Sequence, residues 1–247
     1  MIAVALALVA QWGCGRGDGG ARRAGSAGTA AVDSARRAAA SDTRHPTPYT
    51  RTILFLGTSL TAGLGLEPGE AYPALIQRRL DSLRLPWRAM NAGVSGETSA
   101  GAVRRLDWLL KDPPAVLVLE TGANDGLRGL DLDSTRANLD TIVARTRRAD
   151  PGVVIVLAGM EVPPNLGARY AAGFRALFPS LARREGLALI PFLLAGVGGV
   201  DSLNQADGIH PTAAGDRIVA ENVWRVLGPL VDGRGDARTH RRTAGDR

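Results

Sequence analysis

Five short apolar runs alternate with five longer segments of helical spacing, and this alternation narrows the possible folds more than any other feature of the chain. The runs are "TILFLG" (52–57), "WRAMNAG" (87–93), "AVLVLETG" (115–122), "VVIVLAG" (153–159) and "LALIPF" (187–192). The first, third and fourth are nearly continuous in apolar residues, as expected of strands covered on both faces of a parallel sheet. Helical spacing follows over 71–84, 98–111, 134–149, 167–185 and 211–229. Pro73 suits a first turn, Ser134 an N-cap, and Gly186 after "LARRE" a C-terminal stop. Strands separated by helices require crossovers that are right-handed. The expected fold is therefore α/β: a three-layer α/β/α sandwich with a flavodoxin-like parallel five-stranded sheet. In such sheets ligands bind beyond the carboxyl ends of the strands, where successive crossovers take opposite faces.

The periodic region is one domain, 51–231, flanked by a tether (15–50) and a tail (232–247). Both flanks are rich in Gly, Ala, Ser and Arg, with too few large apolar side chains to offset the entropy of ordering, so both are expected to be disordered. They also carry most of the formal +6 charge: +3 lies in 1–50 and +2 in 232–247, leaving +1 for the domain. No basic stripe remains to suggest a nucleic-acid partner. Cys14 is the only cysteine, which excludes an intramolecular disulfide and a cysteine-based metal site. It follows "MIAVALALVAQWG" (1–13), a run of signal-peptide length that is too short to cross a bilayer as a permanent helix. A cysteine after such a run, preceded by Gly13, resembles a bacterial lipoprotein cleavage site. No Lys or Arg precedes the run, and Gln11 and Trp12 stand where small or aliphatic residues are usual, so an uncleaved apolar end is the other reading. The expectation is export, with 1–14 as the signal, either to the periplasm or to the cell envelope through a lipid on Cys14.

The first run ends abruptly in "GTSLTAGLG" (57–65), which puts Ser59 at a predicted strand end. A serine hydroxyl needs a positioned base, usually a His oriented by a carboxylate. His45 and His240 lie in the flanks, so only His210 can serve, and Asp207 precedes it in "DGIHP" with Gly208 allowing the bend. Two further loops at strand ends could supply oxyanion donors. In "NAGVSGETS" (91–99), Gly96 lets a backbone N–H approach substrate, and in "ETGANDG" (120–126), Asn124 offers a side-chain amide. Each feature has an ordinary reading as well. Asp207 caps a turn, Gly and Asn are common turn residues, and a glycine-rich turn can cradle a phosphate in a non-catalytic binding module. The turn lacks the Gly-Lys-Ser/Thr ending of a P-loop and the spacing of a dinucleotide fold. A single domain histidine supplies too few nitrogen ligands for a typical catalytic zinc, and no cofactor is implied.

"FLGTSLTAG", "NAGVSGETS", "ETGANDGLRG" and "DGIHP" resemble, in order, the four sequence blocks of the SGNH, or GDSL-type, hydrolase superfamily over residues 52–230. "SGETSAG", "ARYAAGFRALFPSLARREG" and "LIPFLL" are most similar to its bacterial arylesterase group, which includes the multifunctional thioesterase I and lysophospholipase enzymes. The resemblance implies a serine esterase acting on short- to medium-chain acyl esters, aryl esters, thioesters or lysophospholipids through an acyl-serine intermediate. Ser59 would be the nucleophile, His210 the base and later acid, and Asp207 its orienting group. The N–H groups of Ser59 and Gly96 and the Asn124 amide would form the oxyanion hole. Thr58 departs from the usual Gly-Asp-Ser block. Met160, Val162 and Leu166 in "GMEVPPNLGARY" (159–170) are the apolar candidates for an acyl-binding wall. Deacetylation of envelope polysaccharide is the runner-up, although an aromatic content of 4% is poor in stacking platforms for sugars.

Overall fold

A computed structural model describes residues 49–232. The order of elements is β1 (Arg51–Gly57), α1 (Ser59–Ala62), α2 (Tyr72–Ser82), β2 (Trp87–Gly93), α3 (Ser99–Leu109), β3 (Val116–Leu119) and α4 (Ala123–Leu127). It continues with α5 (Leu132–Ala149), β4 (Val154–Ala158), a 3-10 turn (Pro164–Leu166), α6 (Ala168–Glu185), β5 (Ala188–Ile190), a second 3-10 turn (Asp201–Leu203) and α7 (Ala213–Val231). The strands form one parallel sheet in the order β2-β1-β3-β4-β5. The flavodoxin-like α/β/α reading therefore holds.

The order explains the layers. From β1 the chain steps outward to β2, then crosses back over β1 to reach β3, so right-handed crossovers send α2 and α3 to opposite faces. The steps to β4 and β5 continue in the second direction, and α3, α5 and α6 pack in a row. Helix α7 returns to pack against α2. Ile53 to Leu56, Val116 to Leu119 and Ile155 to Ala158 are all buried, because these central strands are covered from both sides. Edge-on contacts of Phe55 with Tyr72 (5.6 Å) and Phe174 with Phe178 (5.3 Å) tie the sheet to α2 and close α6 on itself.

Three boundaries differ from the sequence reading for identifiable reasons. Helix α5 begins at Leu132, not at Ser134: Asp131 is the N-cap and its carboxylate accepts both the N–H and the hydroxyl of Ser134, at 2.8 Å each. Strands β3 to β5 are shorter than their apolar runs, and the runs of β3 and β4 continue into buried loop once the pairing stops. Bonding to the fold also begins before 51, with the Tyr49 hydroxyl donating to Asp81 and the Thr50 N–H to the Pro86 carbonyl. Pro73 and Gly186 stand as expected, in the first turn of α2 and in the left-handed C-cap of α6. The signal reading of 1–14, Cys14, the tether up to residue 48 and the tail from 233 lie outside the described residues.

One buried acid links the two helices of the α2–α7 face. Asp216, in the first turn of α7, accepts the Tyr72 N–H at 2.6 Å, and burial pushes its carboxyl up from 3.8 to about 7 despite that bond. Since the folded pKa exceeds the unfolded one, the native state holds the proton more tightly. Stability from this group is fully present below about pH 4 and is lost as pH rises to about 7. Asp216→Asn keeps the acceptor and mimics the protonated form. Thermal melts across pH 4 to 8 should show the parent losing stability in that window and the variant losing less, by up to a few kcal/mol at pH 8.

Candidate active site

The end of β1 is held by a buried carboxylate that sequence reading passed over. Glu120, just beyond β3, accepts the Thr58 N–H (2.8 Å), the Thr58 hydroxyl (3.0 and 3.1 Å to its two oxygens) and the Thr61 hydroxyl (2.8 Å). The Tyr72 hydroxyl meets Thr61 Oγ1 at 2.7 Å, and with the Thr61 proton committed to Glu120 the tyrosine is the donor. Burial pushes the Glu120 carboxyl up, and the N–H of Thr58 with the hydroxyls of Thr61 and Thr58 pull it back. Gly57 is required by this packing, for a Cβ there would sit 1.9 Å from Thr61 Oγ1 and 2.6 Å from Glu120 Oε2. Thr58, where the usual block has Asp, thus bonds a side chain and not the nearby backbone group that a turn hydroxyl commonly takes.

Ser59 opens α1, a four-residue helix ended by left-handed Gly63. Thr58 is its N-cap residue, yet its side chain caps nothing because it is committed to Glu120. The Ser59 N–H is one of the first-turn amides that have no acceptor within a helix. From β2, the Asn91 amide donates to the Thr61 carbonyl at 2.8 Å, so α1 is held from both neighbouring strands.

The second half of the site arrives from the loop between β5 and α7. His210 Nε2 lies 2.8 Å from Ser59 Oγ, and His210 Nδ1 lies 2.7 Å from Asp207 Oδ2. The other oxygen of Asp207 accepts the N–H groups of Ile209 and His210, at 3.0 Å each. The His210 hydrogen bond first, and then these two N–H bonds, bring the Asp207 carboxyl from 3.8 down to about 2. Asp207 is therefore ionised over the neutral range and favours the His210 tautomer with its proton on Nδ1. Gln205, also missed from sequence, staples this loop to the serine: its amide donates to the Leu64 carbonyl (2.7 Å) and the Pro211 carbonyl (2.9 Å).

Ser59, Gly96, Asn124 and His210 line one cavity of about 490 Å³. Gly96 adopts a left-handed φ of 76°. Asn124 lies in the first turn of α4 and uses one amide proton on the Glu97 carbonyl at 3.0 Å, which leaves the other to donate. Buried Asp125 accepts the N–H of Ser99 (2.8 Å) and its hydroxyl (2.5 Å), fastening the Asn124 segment to α3. Met160 and Val162 lie in the cavity wall with Leu60, Leu64, Phe192 and Leu194. Leu166 does not line it. It is 42% exposed and covers Gly129 at the foot of the first 3-10 turn. The arrangement is a hydroxyl with a base and an ionised orienting group, opening on an apolar cavity. It can carry out acyl transfer.

Comparison with known proteins agrees with this geometry. Residues 55–218 match the model of the GDSL-like lipase/acylhydrolase family. The chain is 42% identical over 182 residues to esterase TesA of Pseudomonas aeruginosa, covering 73% of this chain and 90% of that protein. It is 35% identical over 184 residues to thioesterase 1/protease 1/lysophospholipase L1 of Escherichia coli, covering 73% and 85%. A crystal structure of TesA superimposes with a TM-score of 0.70 at 42% identity, covering 73% of this chain and 99% of that one.

The role of Thr58 is open to direct measurement. Thr58→Val keeps the shape but removes a hydroxyl that donates to a buried carboxylate, which should cost about 1.5–3 kcal/mol in urea unfolding. Thr58→Ser keeps the donor and should lose less than half of that. Parent stability in Thr58→Val, with the loss confined to Thr58→Ser, would show that the methyl group matters and the hydroxyl does not.

Proposed function

The chain belongs to the GDSL-like lipase/acylhydrolase family and is a serine ester hydrolase, and on that premise we propose how its residues divide the work. Ser59 Oγ attacks the acyl carbonyl while His210 Nε2 takes its proton. The electron pair displaced onto the carbonyl oxygen is met by the N–H groups of Ser59 and Gly96 and the free proton of the Asn124 amide. Collapse of this intermediate expels the leaving oxygen or sulfur, which receives the proton from His210 and leaves an acyl-serine. Water then repeats the sequence, with His210 again acting as base and then acid, and the free acid departs. Asp207 holds the imidazole in orientation and stabilises its charged form without taking the proton. The observation that carries this reading is the unbroken chain from Ser59 Oγ through both nitrogens of His210 to Asp207, at 2.8 and 2.7 Å.

The substrates we propose are short- to medium-chain acyl esters, among them aryl esters, thioesters and lysophospholipids. An apolar cavity walled by Met160, Val162 and Phe192 suits an alkyl chain better than a sugar ring, which supports this class over polysaccharide deacetylation. The purified domain should hydrolyse p-nitrophenyl esters, with kcat/KM rising from acetyl to medium chain lengths and falling at palmitoyl. Ser59→Ala should lower kcat by roughly a thousandfold or more, and Asn124→Ala by about a hundredfold. Retention of parent activity by Ser59→Ala would refute the assignment.

For location, the apolar start and Cys14 support export with a lipid anchor, the signal being 1–14 and the hydrolase domain 51–231. Labelled palmitate should enter the parent chain and not Cys14→Ser. Protein recovered from the cytosol with its N-terminus intact would overturn export.

A further inference from the structure

Beside the catalytic cavity the surface dips into a second hollow of about 500 Å³, formed by the 94–98 segment, the first turns of α3, and Arg128 after α4. Three guanidinium groups line it, and they are not equivalent. Arg105 is neutralised locally: its Nε and Nη2 donate to the Glu97 carboxylate at 2.7–2.9 Å, and Nη2 also reaches the Gly57 carbonyl at 3.3 Å. Arg128 donates through Nη2 to the Gly96 carbonyl at 3.0 Å and pairs with no carboxylate among the described residues. Arg104 is exposed and likewise has no carboxylate partner among them. The hollow therefore carries two uncompensated positive charges, in a segment (51–231) whose net charge is only +1.

Gly96 belongs to the lining of both cavities. Its carbonyl is held by Arg128 on the basic side, while its N–H is the proposed oxyanion donor on the other. An acyl carbonyl bonded at that N–H would stand at the boundary, with the apolar cavity on one side for the alkyl chain and the basic hollow within reach of what is left of the substrate. We propose that Arg104 and Arg128 form a subsite for a phosphate group on the leaving alcohol or thiol, so that the enzyme favours acyl esters and thioesters with phosphate-bearing leaving groups over uncharged ones. Guanidinium forks match phosphate oxygens in geometry and charge. The glycerophosphate of a lysophospholipid and the phosphates of an acyl-CoA share this chemistry. Because the hollow is open to water, its attraction is of the exposed kind, modest for each arginine and weakened by salt.

The inference rests on the serine-hydrolase reading, and the test separates the two. Matched pairs are compared by kcat/KM: decanoyl-CoA against uncharged decanoyl-N-acetylcysteamine, and lauroyl lysophosphatidylglycerol against monolaurin. In the parent the anionic member should be favoured at low salt, and inorganic pyrophosphate should compete with it. Arg104→Glu should lower the anionic-to-neutral ratio by about tenfold, Arg104→Lys should lower it less, and 0.5 M NaCl should shrink the difference between parent and variant. Arg148→Ala, in the last turn of α5 where the chain returns to the amino end of β4, should leave both ratios alone. A fall in the CoA pair, the lysophospholipid pair, or both supports the subsite and identifies the source of the phosphate. Ratios that match the parent in both pairs, with the neutral substrates still hydrolysed, overturn the subsite alone. Failure of the parent on every neutral substrate would instead strike at the serine-hydrolase reading.

Discussion

The Glu120 carboxylate, buried at the end of the central strand β3, is the group on which the geometry of the catalytic end depends. A charge in that position is tolerable only if it is well bonded, and it gathers one N–H and two hydroxyls from the turn that follows β1. Those bonds orient α1, and the orientation of α1 sets the direction of the Ser59 side chain. With Gly57 omitting a side chain and Tyr72 closing the network from α2, Ser59 is referenced to three elements at once. Thr58 fits this arrangement well, since a hydroxyl beside Glu120 donates, where a second carboxyl would have to share a proton or repel.

From that fixed point the rest of the site is assembled by reach across the sheet. The strands end side by side, so loops distant in the chain meet over β1: the Gly96 loop from β2, the Asn124 turn from β3, and the histidine loop after β5. Polar side chains brace these loops against their neighbours. Asp125 grips Ser99, Asn124 grips the Glu97 carbonyl, and Gln205 grips the Leu64 and Pro211 carbonyls. Most of their partners are backbone groups that would otherwise lack these bonds, which offsets part of the cost of ordering the loops. They also keep Ser59, His210 and Asp207 at bonding distance before any substrate arrives.

Much of this was legible in the letters. The parallel sheet followed from continuous apolar runs, and the residues that meet at the cavity, Ser59, Gly96, Asn124 and His210, followed from their places at strand ends. What escaped did so for definable reasons. Helices α1 and α4 are too short for a 3.6-residue period to show, so they read as turns. Glu120 ends an apolar run and looks like a charge leaving the core, whereas it is buried and bonded to a segment some sixty residues earlier. Leu166 shares its apolar character with Met160 and Val162, but the 3-10 turn that carries it lies away from the cavity, and no spacing rule encodes that direction.

The sequence by itself determined the alternation of strand and helix, the parallel sheet it requires, and the identity of the groups able to act as nucleophile, base and orienting acid. These are local properties, carried by periodicity and by the scarcity of suitable residues. Only the tertiary structure decided that one buried carboxylate holds the serine turn, which apolar residues wall the cavity, and that two arginines with no carboxylate partner among the described residues stand beside the Gly96 loop. Those facts depend on pairwise distances between segments far apart in the chain, and burial, pairing and charge compensation acquire values only when the segments meet.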